Sequence, residues 1–512
     1  MDSHRQNPQT QQIVTEQSAE SAAVQAESLD AKLREILEKI CPGDAKQKER
    51  LANAMRQLLR EALVGGEVSK PNEIKALLFR AIVNVRERVT KQTDAILHAP
   101  EFQQLESCWR GLKFLTERTN FDAAITIDMV DASKATLNAD FKKNDDFRDT
   151  AFRKMIYADG IGHAGGDPYA AVIGAYDFDA SSEEDVEILR RISEVAEDTH
   201  APFIAAASPK SFGLDSHPEL ADRKLTPIVK QFEKGDAFIK WRALRETSAA
   251  RYLCLTMPRF VLRSPWGQGK QKPEGKMSFY EENTHGDRKN FLWGNTAFAL
   301  ATRLTEQFDK YGWYDDISGW EEGGRVERME IPIFELPGEQ RKIATEVLVT
   351  DEMEYTFSTL GFTPLIMELK TDRTYFQSVP TLKFAGSYPD TEAGRKAQER
   401  AQMGTQLTYM LLASRVAHYL KVQQRRLLGS PKTKQDIEGR IRDWLGQYHC
   451  ADPTPLDSTR RKKPLRAYDV KVEPISGQNG YYSIDVNVVP FTRYRGADVT
   501  LTLDAEPQTG GS

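Results

Sequence analysis

Between residues 171 and 256 three short, nearly uninterrupted apolar runs are separated by stretches of helical spacing. The runs are Ala171-Val-Ile-Gly-Ala-Tyr176, Phe203-Ile-Ala-Ala-Ala207 and Arg251-Tyr-Leu-Cys-Leu-Thr256. A strand with apolar residues on both faces must be covered on both faces, which is the habit of a parallel sheet sandwiched between helices. A helix fits 183–198, and a second passes through Phe238, Trp241 and Leu244. The alternation predicts an α/β layer with a buried sheet. Ala124-Ile-Thr-Ile-Asp128 reads as one further strand. Five of the seven tryptophans (Trp241, Trp266, Trp293, Trp313, Trp320) fall between 241 and 320 and mark either the densest part of the core or an interface.

The residues before this body have another texture. No aromatic residue precedes Phe79, and residues 1–27 are rich in Gln, Ser, Ala and Glu, too weakly apolar to offset the entropy of ordering. A short helix follows, with Ser28 as cap, Leu29, Leu33, Ile36, Leu37 and Ile40 on one face, and Pro42-Gly43 as the stop. Leu51, Met55, Leu58, Leu59 and Leu63 mark a second helix. Either stripe packs on this protein or forms an amphipathic arm for a partner. Pro71 and Pro100 open two more helices, the first with Ile74, Leu77, Leu78, Ala81, Val85 and Val89 in register.

The last third is better punctuated. A helical pattern runs from Pro389-Asp390 to Leu428, with Gly394 or Gly404 as points of interruption and Gly429 and Pro431 as the stop. Thr433 and Asp436 form a capping-box pattern ahead of Ile437, Ile441, Trp444, Leu445 and Tyr448. Three period-two segments follow: Tyr468, Val470, Val472; then Tyr482, Ile484, Val486, Val488; then Val499, Leu501, Leu503. Each has one apolar and one polar face, as half-exposed antiparallel strands do.

Chemistry is sparse. The chain lacks a phosphate-binding GxxxxGK[ST] loop, a GxGxxG after a strand, a GxSxG elbow and an HExxH pair. The Gly162–Asp167 loop, the His285-Gly-Asp287 triplet and the Asp315-Asp316 and Glu321-Glu322 pairs read as solvated loops, and the basic run Arg460–Lys463 as a solvated connector. Seventy Lys and Arg against 75 Asp and Glu give a net charge of −5, which argues against a nucleic-acid binder. Four scattered cysteines signal neither zinc nor disulfides. No cofactor and no metal is expected. No apolar run reaches the ~20 residues of a membrane span. The amino terminus lacks the layout of a secretory signal, so the expected location is cytoplasmic, without direct membrane insertion.

From about residue 200 onward the words and their order resemble one family, the large subunit of the type VI secretion contractile sheath (TssC/VipB family). The matching segments include Pro202–Pro209, Trp241–Arg245, Pro258-Arg-Phe-Val-Leu-Arg-Ser-Pro-Trp-Gly267, Asn290-Phe-Leu-Trp-Gly-Asn295 and Gly361-Phe-Thr-Pro-Leu365. Phe384-Ala-Gly386 and the strands at 467–503 continue it; in all the likeness covers roughly 70–505 in unbroken order. The resemblance implies an α/β fold with α+β character: a helical arm at 1–70, a sheath body at 71–380, and a helical and β-strand domain at 381–512. It implies a structural protein rather than an enzyme, which pairs with a small sheath subunit of the TssB/VipA type. The pairs stack into a helical tube around an inner tube protein, attach to a baseplate, contract, and are dismantled by a Clp-type AAA+ ATPase.

On that basis Val499, Leu501 and Leu503 are expected in a strand joining an intersubunit sheet, with Ile484, Val486 and Val488 in the hairpin that receives a neighbour. Leu29, Leu33, Ile36 and Leu37 are expected at the ATPase, and Arg440 and Arg442 at the inner tube. The competing reading is a cytoplasmic α/β enzyme with an unrecognised pocket.

Overall fold

The computed structural model describes residues 71–157, 166–266, 291–320, 323–331, 333–336, 339–386, 388–427, 433–474, 482–494 and 497–499, with Glu281 and a few positions between 46 and 57. The chain divides into two compact units, with the boundary between Thr93 and Asp94. The boundary falls within helix α1 (Pro71–Leu97), which is followed by α2 (Pro100–Thr116).

Four parallel strands form the body's sheet: β1 (Val172–Phe178), β2 (Phe203–Ala207), β3 (Leu253–Met257) and β4 (Phe362–Pro364), side by side in that order. Alternation decides where their side chains go. Phe203, Ala205, Ala207, Leu253, Leu255 and Met257 enter one core, while Ile204 and Cys254 enter the other on the opposite face. Helix α3 (Glu183–Thr199), capped by the Ser182 hydroxyl, covers the first face with Ile188, Leu189 and Ile192. Helix α4 (Ala297–Tyr311) covers the second with Ala297, Leu300 and Leu304. Burial on both sides is why these strands read as unbroken apolar runs. Trp241, fully buried, stacks on Phe362 with centroids 5.6 Å apart and planes 10° from parallel.

The expected strand at 124–128 does not form. A short 3-10 turn at Phe121–Ala123 is capped by Asn120, and Ala124 takes a left-handed φ of 56°, so the chain leaves the turn out of line with any ladder. Side chains hold the extended segment instead: Tyr176 Oη donates to the Ala132 carbonyl at 2.6 Å, and Tyr169 Oη to Asp128 at 2.9 Å. The tryptophans divide. Trp241 and Trp313 are buried, whereas Trp320 is 58% exposed.

The long C-terminal helix breaks at Thr405-Gln406 into Glu392–Gly404 and α5 (Leu407–Leu427). Helix α6 (Lys434–Gly446) begins at the capping box of Thr433 and Asp436, as its spacing predicts. Strands β5 (Leu465–Pro474) and β6 (Tyr482–Pro490) form an antiparallel ribbon. A smaller hairpin follows, β7 (Thr492–Tyr494) with β8 (Ala497–Val499). One core joins these parts: Leu412 and Val416 of α5, Ile437, Ile441 and Leu445 of α6, and Val470, Val472, Val486 and Val488 of the ribbon. Trp313, from the turn after α4, enters this core too.

Candidate assembly surface

The ribbon β5–β6 is the most unusual backbone feature of the described chain. Nine and ten residues long, it has no third strand among the described residues; the nearest approach is a single bridge from His449 to Leu465. An isolated two-stranded ribbon is marginal in water, and its outer N–H and C=O rows are templates for another strand. The partners within the ribbon run from Leu465 opposite Pro490 to Pro474 opposite Tyr482, with one irregularity between Leu465 and Ala467.

Helix α6 covers one face of the ribbon. Its inward residues Ile437, Ile441 and Leu445 meet Val470, Val472, Val486 and Val488. Trp444 lies parallel on Tyr419 of α5, 3.6 Å between centroids, which ties the helix to the rest of the C-terminal core. Ile484, Val486 and Val488 therefore spend their side chains on this core, and what they leave for a neighbour is backbone. Val499 lies in β8, opposite Thr492. Leu501, Leu503, Leu29, Leu33, Ile36 and Leu37 lie outside the described residues. The structure thus brings three of the expected strand residues to one ribbon and places Val499 in a separate hairpin.

Arg440 and Arg442, two residues apart on α6, differ. Arg440 is exposed. Arg442 reaches down to the ribbon, where Nη2 donates to the Val470 carbonyl at 2.8 Å and to Asp469 at 3.2 Å, while Nε donates to Glu438 at 3.1 Å. Those carboxylates raise the Arg442 guanidinium above its ordinary value, the hydrogen bond to Glu438 most of all.

Of the basic run Arg460–Lys463, expected to be a solvated connector, Lys462 and Lys463 are exposed, but Arg460 and Arg461 are not. Arg460 and Arg461 lie in the short helix Asp457–Lys462, with side chains only 11% and 10% exposed. Arg461 is bound to Asp316 and donates to Tyr311 Oη at 3.2 Å, closing the C-terminal core onto the turn that carries Trp313. Arg415 of α5 sits over Phe308, Trp313 and Tyr314 of the same stretch, 4.8 to 5.6 Å from their centroids. Asp315 is half-buried there, and its desolvation, with Asp316 beside it, pushes its carboxyl up to about 7. Neither aspartate is a solvated loop residue. The signal that could have found this joint is the clustering of three aromatics and two acids in Tyr311-Gly-Trp-Tyr-Asp-Asp316. The triplet at His285, the pair Glu321-Glu322 and most of the Gly162 loop lie outside the described residues.

Two further ties fix the body beneath. Arg259 donates to both oxygens of Glu346 at 2.9 and 2.7 Å, and His217 Nδ1 lies 2.9 Å from the same carboxylate. Burial alone would raise the Glu346 carboxyl, yet Arg259 and His217 hold it down to about 2. On α5, His418 Nε2 lies 2.8 Å from the Thr199 carbonyl and Lys421 donates to the Asp198 carbonyl at 3.0 Å, so two basic side chains close the C-terminal end of α3. Burial lowers His418 to about 4 and, with Lys421 and His418 nearby, His200 to about 3. Among the described residues no group of His, Cys, Asp and Glu is assembled to hold a metal, and no helix is long and apolar enough to cross a membrane.

Comparison with known proteins agrees with this architecture. Residues 80–383 match the family described as the EvpB/VC_A0108 tail sheath N-terminal domain, VipB. Residues 396–506 match its gpW/gp25-like tail sheath domain. The chain is 33% identical over 501 residues to the type VI secretion system sheath protein TssC1 of Pseudomonas aeruginosa, covering 96% of each protein. A continuous match of this length, over a fold built around a sheet body and an open C-terminal ribbon, leads to one conclusion: the chain belongs to the TssC/VipB family of type VI secretion tail-sheath proteins and is a structural subunit of the contractile sheath.

Proposed function

We propose that this subunit pairs with a small sheath subunit and joins the lattice by strand addition at the β5–β6 ribbon. The observation that carries the reading is the ribbon itself, long, packed on one face by α6, and without a third strand among the described residues. The Asn487 carboxamide oxygen points the same way, being buried on the ribbon with no hydrogen-bond partner among the described residues. Backbone bonds supply adhesion in such a contact, and alternate side chains set register. A five-residue strand at about 1 kcal/mol net per bond adds only a few kcal/mol. One graft is therefore reversible, and many in a lattice act together through effective concentration.

On this reading residues 71–380 are the sheath body and 381–512 the linking domain, working in the cytoplasm around an inner tube. Val499, Leu501 and Leu503 belong to the donated strand. Arg440 faces the inner tube, Leu29, Leu33, Ile36 and Leu37 form the handle for the Clp-type ATPase, and the subunit itself catalyses nothing. Contraction is then a change in how rigid subunits pack while strand links hold.

Co-expression with the small sheath subunit followed by electron microscopy tests the core of the proposal. Hollow tubules are expected from the full chain, and a heterodimer without tubules from a chain lacking 497–512. Unchanged tubules after that deletion reject strand linkage. A peptide of residues 20–42 that fails to bind the ATPase amino-terminal domain rejects the handle.

A further inference from the structure

Helix α1 is turned the unusual way round. A helix ordinarily buries its apolar stripe, but here most of the covered positions, Val83, Thr90, Thr93, Asp94 and Leu97, share one face, with Ala81 half-buried on the other side. The apolar positions Ile82, Val85 and Ile96 are 55%, 59% and 53% exposed, and Val89 is 36% exposed. Their spacing is specific. Leu78, Ile82, Val85, Val89, Gln92 and Ile96 follow alternating steps of four and three residues, a 3.5-residue period that keeps one seam in line only when a second helix winds against it. The residues at alternate seam positions, Ile82, Val89 and Ile96, are all β-branched, as at one of the two seam positions of two-stranded coils, and Gln92 is the one polar residue of the seam.

Charge narrows the partner. Arg86 and Arg88, both exposed, flank the seam on its two sides, and Arg80 and Lys91 lie further round. A second copy would bring the same basic flanks. The chain's own stretch at 46–63 is basic as well, with Lys46, Lys48, Arg50, Arg56 and Arg60 against Glu49 and Glu61. We infer that α1 is one strand of a two-stranded coiled coil whose other strand is an acidic amphipathic helix of a different chain. The seam supplies the apolar contact, and glutamates beside the partner's seam meet Arg86 and Arg88. The inference does not depend on strand exchange at the ribbon, so the two can fail separately.

The test uses the full chain and a fluorescent synthetic heptad peptide of about 28 residues, with Ile and Leu at its seam and Glu at both flanking positions. A second peptide is identical but carries Lys at those flanks. The acidic peptide is expected to bind about tenfold or more tightly than the basic one. Val85→Asp with Val89→Asp should abolish binding and leave the thermal melt unchanged, since both side chains face solvent. Arg86→Glu with Arg88→Glu should reverse the preference, a response that a purely structural role would not give. Equal binding of the two peptides, or binding of neither to the wild-type chain, overturns the inference. Two other results also overturn it. Binding that emerges only after Leu58→Glu with Leu59→Glu would mean the chain covers its own seam. Self-association in sedimentation that Val85→Asp with Val89→Asp removes would make a second copy the occupant.

Discussion

Arg442 on helix α6 donates to the Val470 carbonyl at 2.8 Å, a polar brace between the helix and the ribbon that is proposed to link subunits. Its neighbour Arg440, two residues earlier, makes no such brace and lies exposed. One side chain braces the fold, and the other is the one proposed to meet the inner tube.

Replacing the two arginines separately should therefore split stability from assembly. Arg442→Ala is expected to cost about 1 kcal/mol, a modest value because the side chain remains partly in solvent. It should also speed amide exchange in 465–474. Arg440→Glu should leave the unfolding midpoint unchanged and lower the amount of inner tube retained in purified tubules. Urea unfolding and tube co-sedimentation read the two effects, and normal tube loading by Arg440→Glu excludes the contact.

Glu346 is a second pressure point. Glu346→Gln leaves Arg259 beside a neutral amide in a buried site, and breaking a buried pair in this way costs about 3–5 kcal/mol. Guanidinium unfolding of the variant measures it. The acid limb of wild-type stability should report the same carboxylate. Its folded value is depressed to about 2, so its contribution is present above the ordinary carboxylate range and is lost as pH falls through about 2.

The histidines act at milder pH. His200 and His418 sit near 3 and 4 in the folded chain, well below the ordinary histidine value. The unfolded chain therefore takes up protons first as pH drops, and the stability from the neutral rings is present above about 6.5 and lost on acidification. At pH 5 the loss is up to about 2 kcal/mol for each ring. His418→Gln keeps a donor toward the Thr199 carbonyl and removes one titration. Melting temperatures between pH 7.5 and 5 should fall less steeply for this variant than for the wild type; parallel slopes would exclude His418 as a source of the dependence.

Gly361 carries a φ of 90°, a conformation that an L side chain adopts with strain. A Cβ there would also lie 3.3 Å from Arg245 Nη2, whose guanidinium holds the Leu382 and Thr359 carbonyls. Gly361→Ala is expected to lose about 1–2 kcal/mol, and Gly439→Ala, where a Cβ meets nothing within 4 Å inside α6, should be neutral or stabilising. Paired urea curves settle both.

What the sequence determined by itself was local and periodic. Phe203–Ala207 is a strand because five consecutive apolar residues need cover on both faces, and α6 starts at Thr433 because its hydroxyl and Asp436 satisfy the first helical amides. The period-two runs named the two strands of the ribbon. Long-range partnership lay outside that reach. Nothing near Trp313 says that it enters the core of α6 and the ribbon, and nothing near Arg461 says that Asp316, 145 residues earlier, neutralises it. Ala124–Asp128 had the pattern of a strand, but a ladder needs an aligned edge, and the left-handed Ala124 turns the chain away from one. Periodicity records which face a residue prefers. Which surface meets that face is settled only when distant segments compete for the same space, and that competition is resolved in three dimensions.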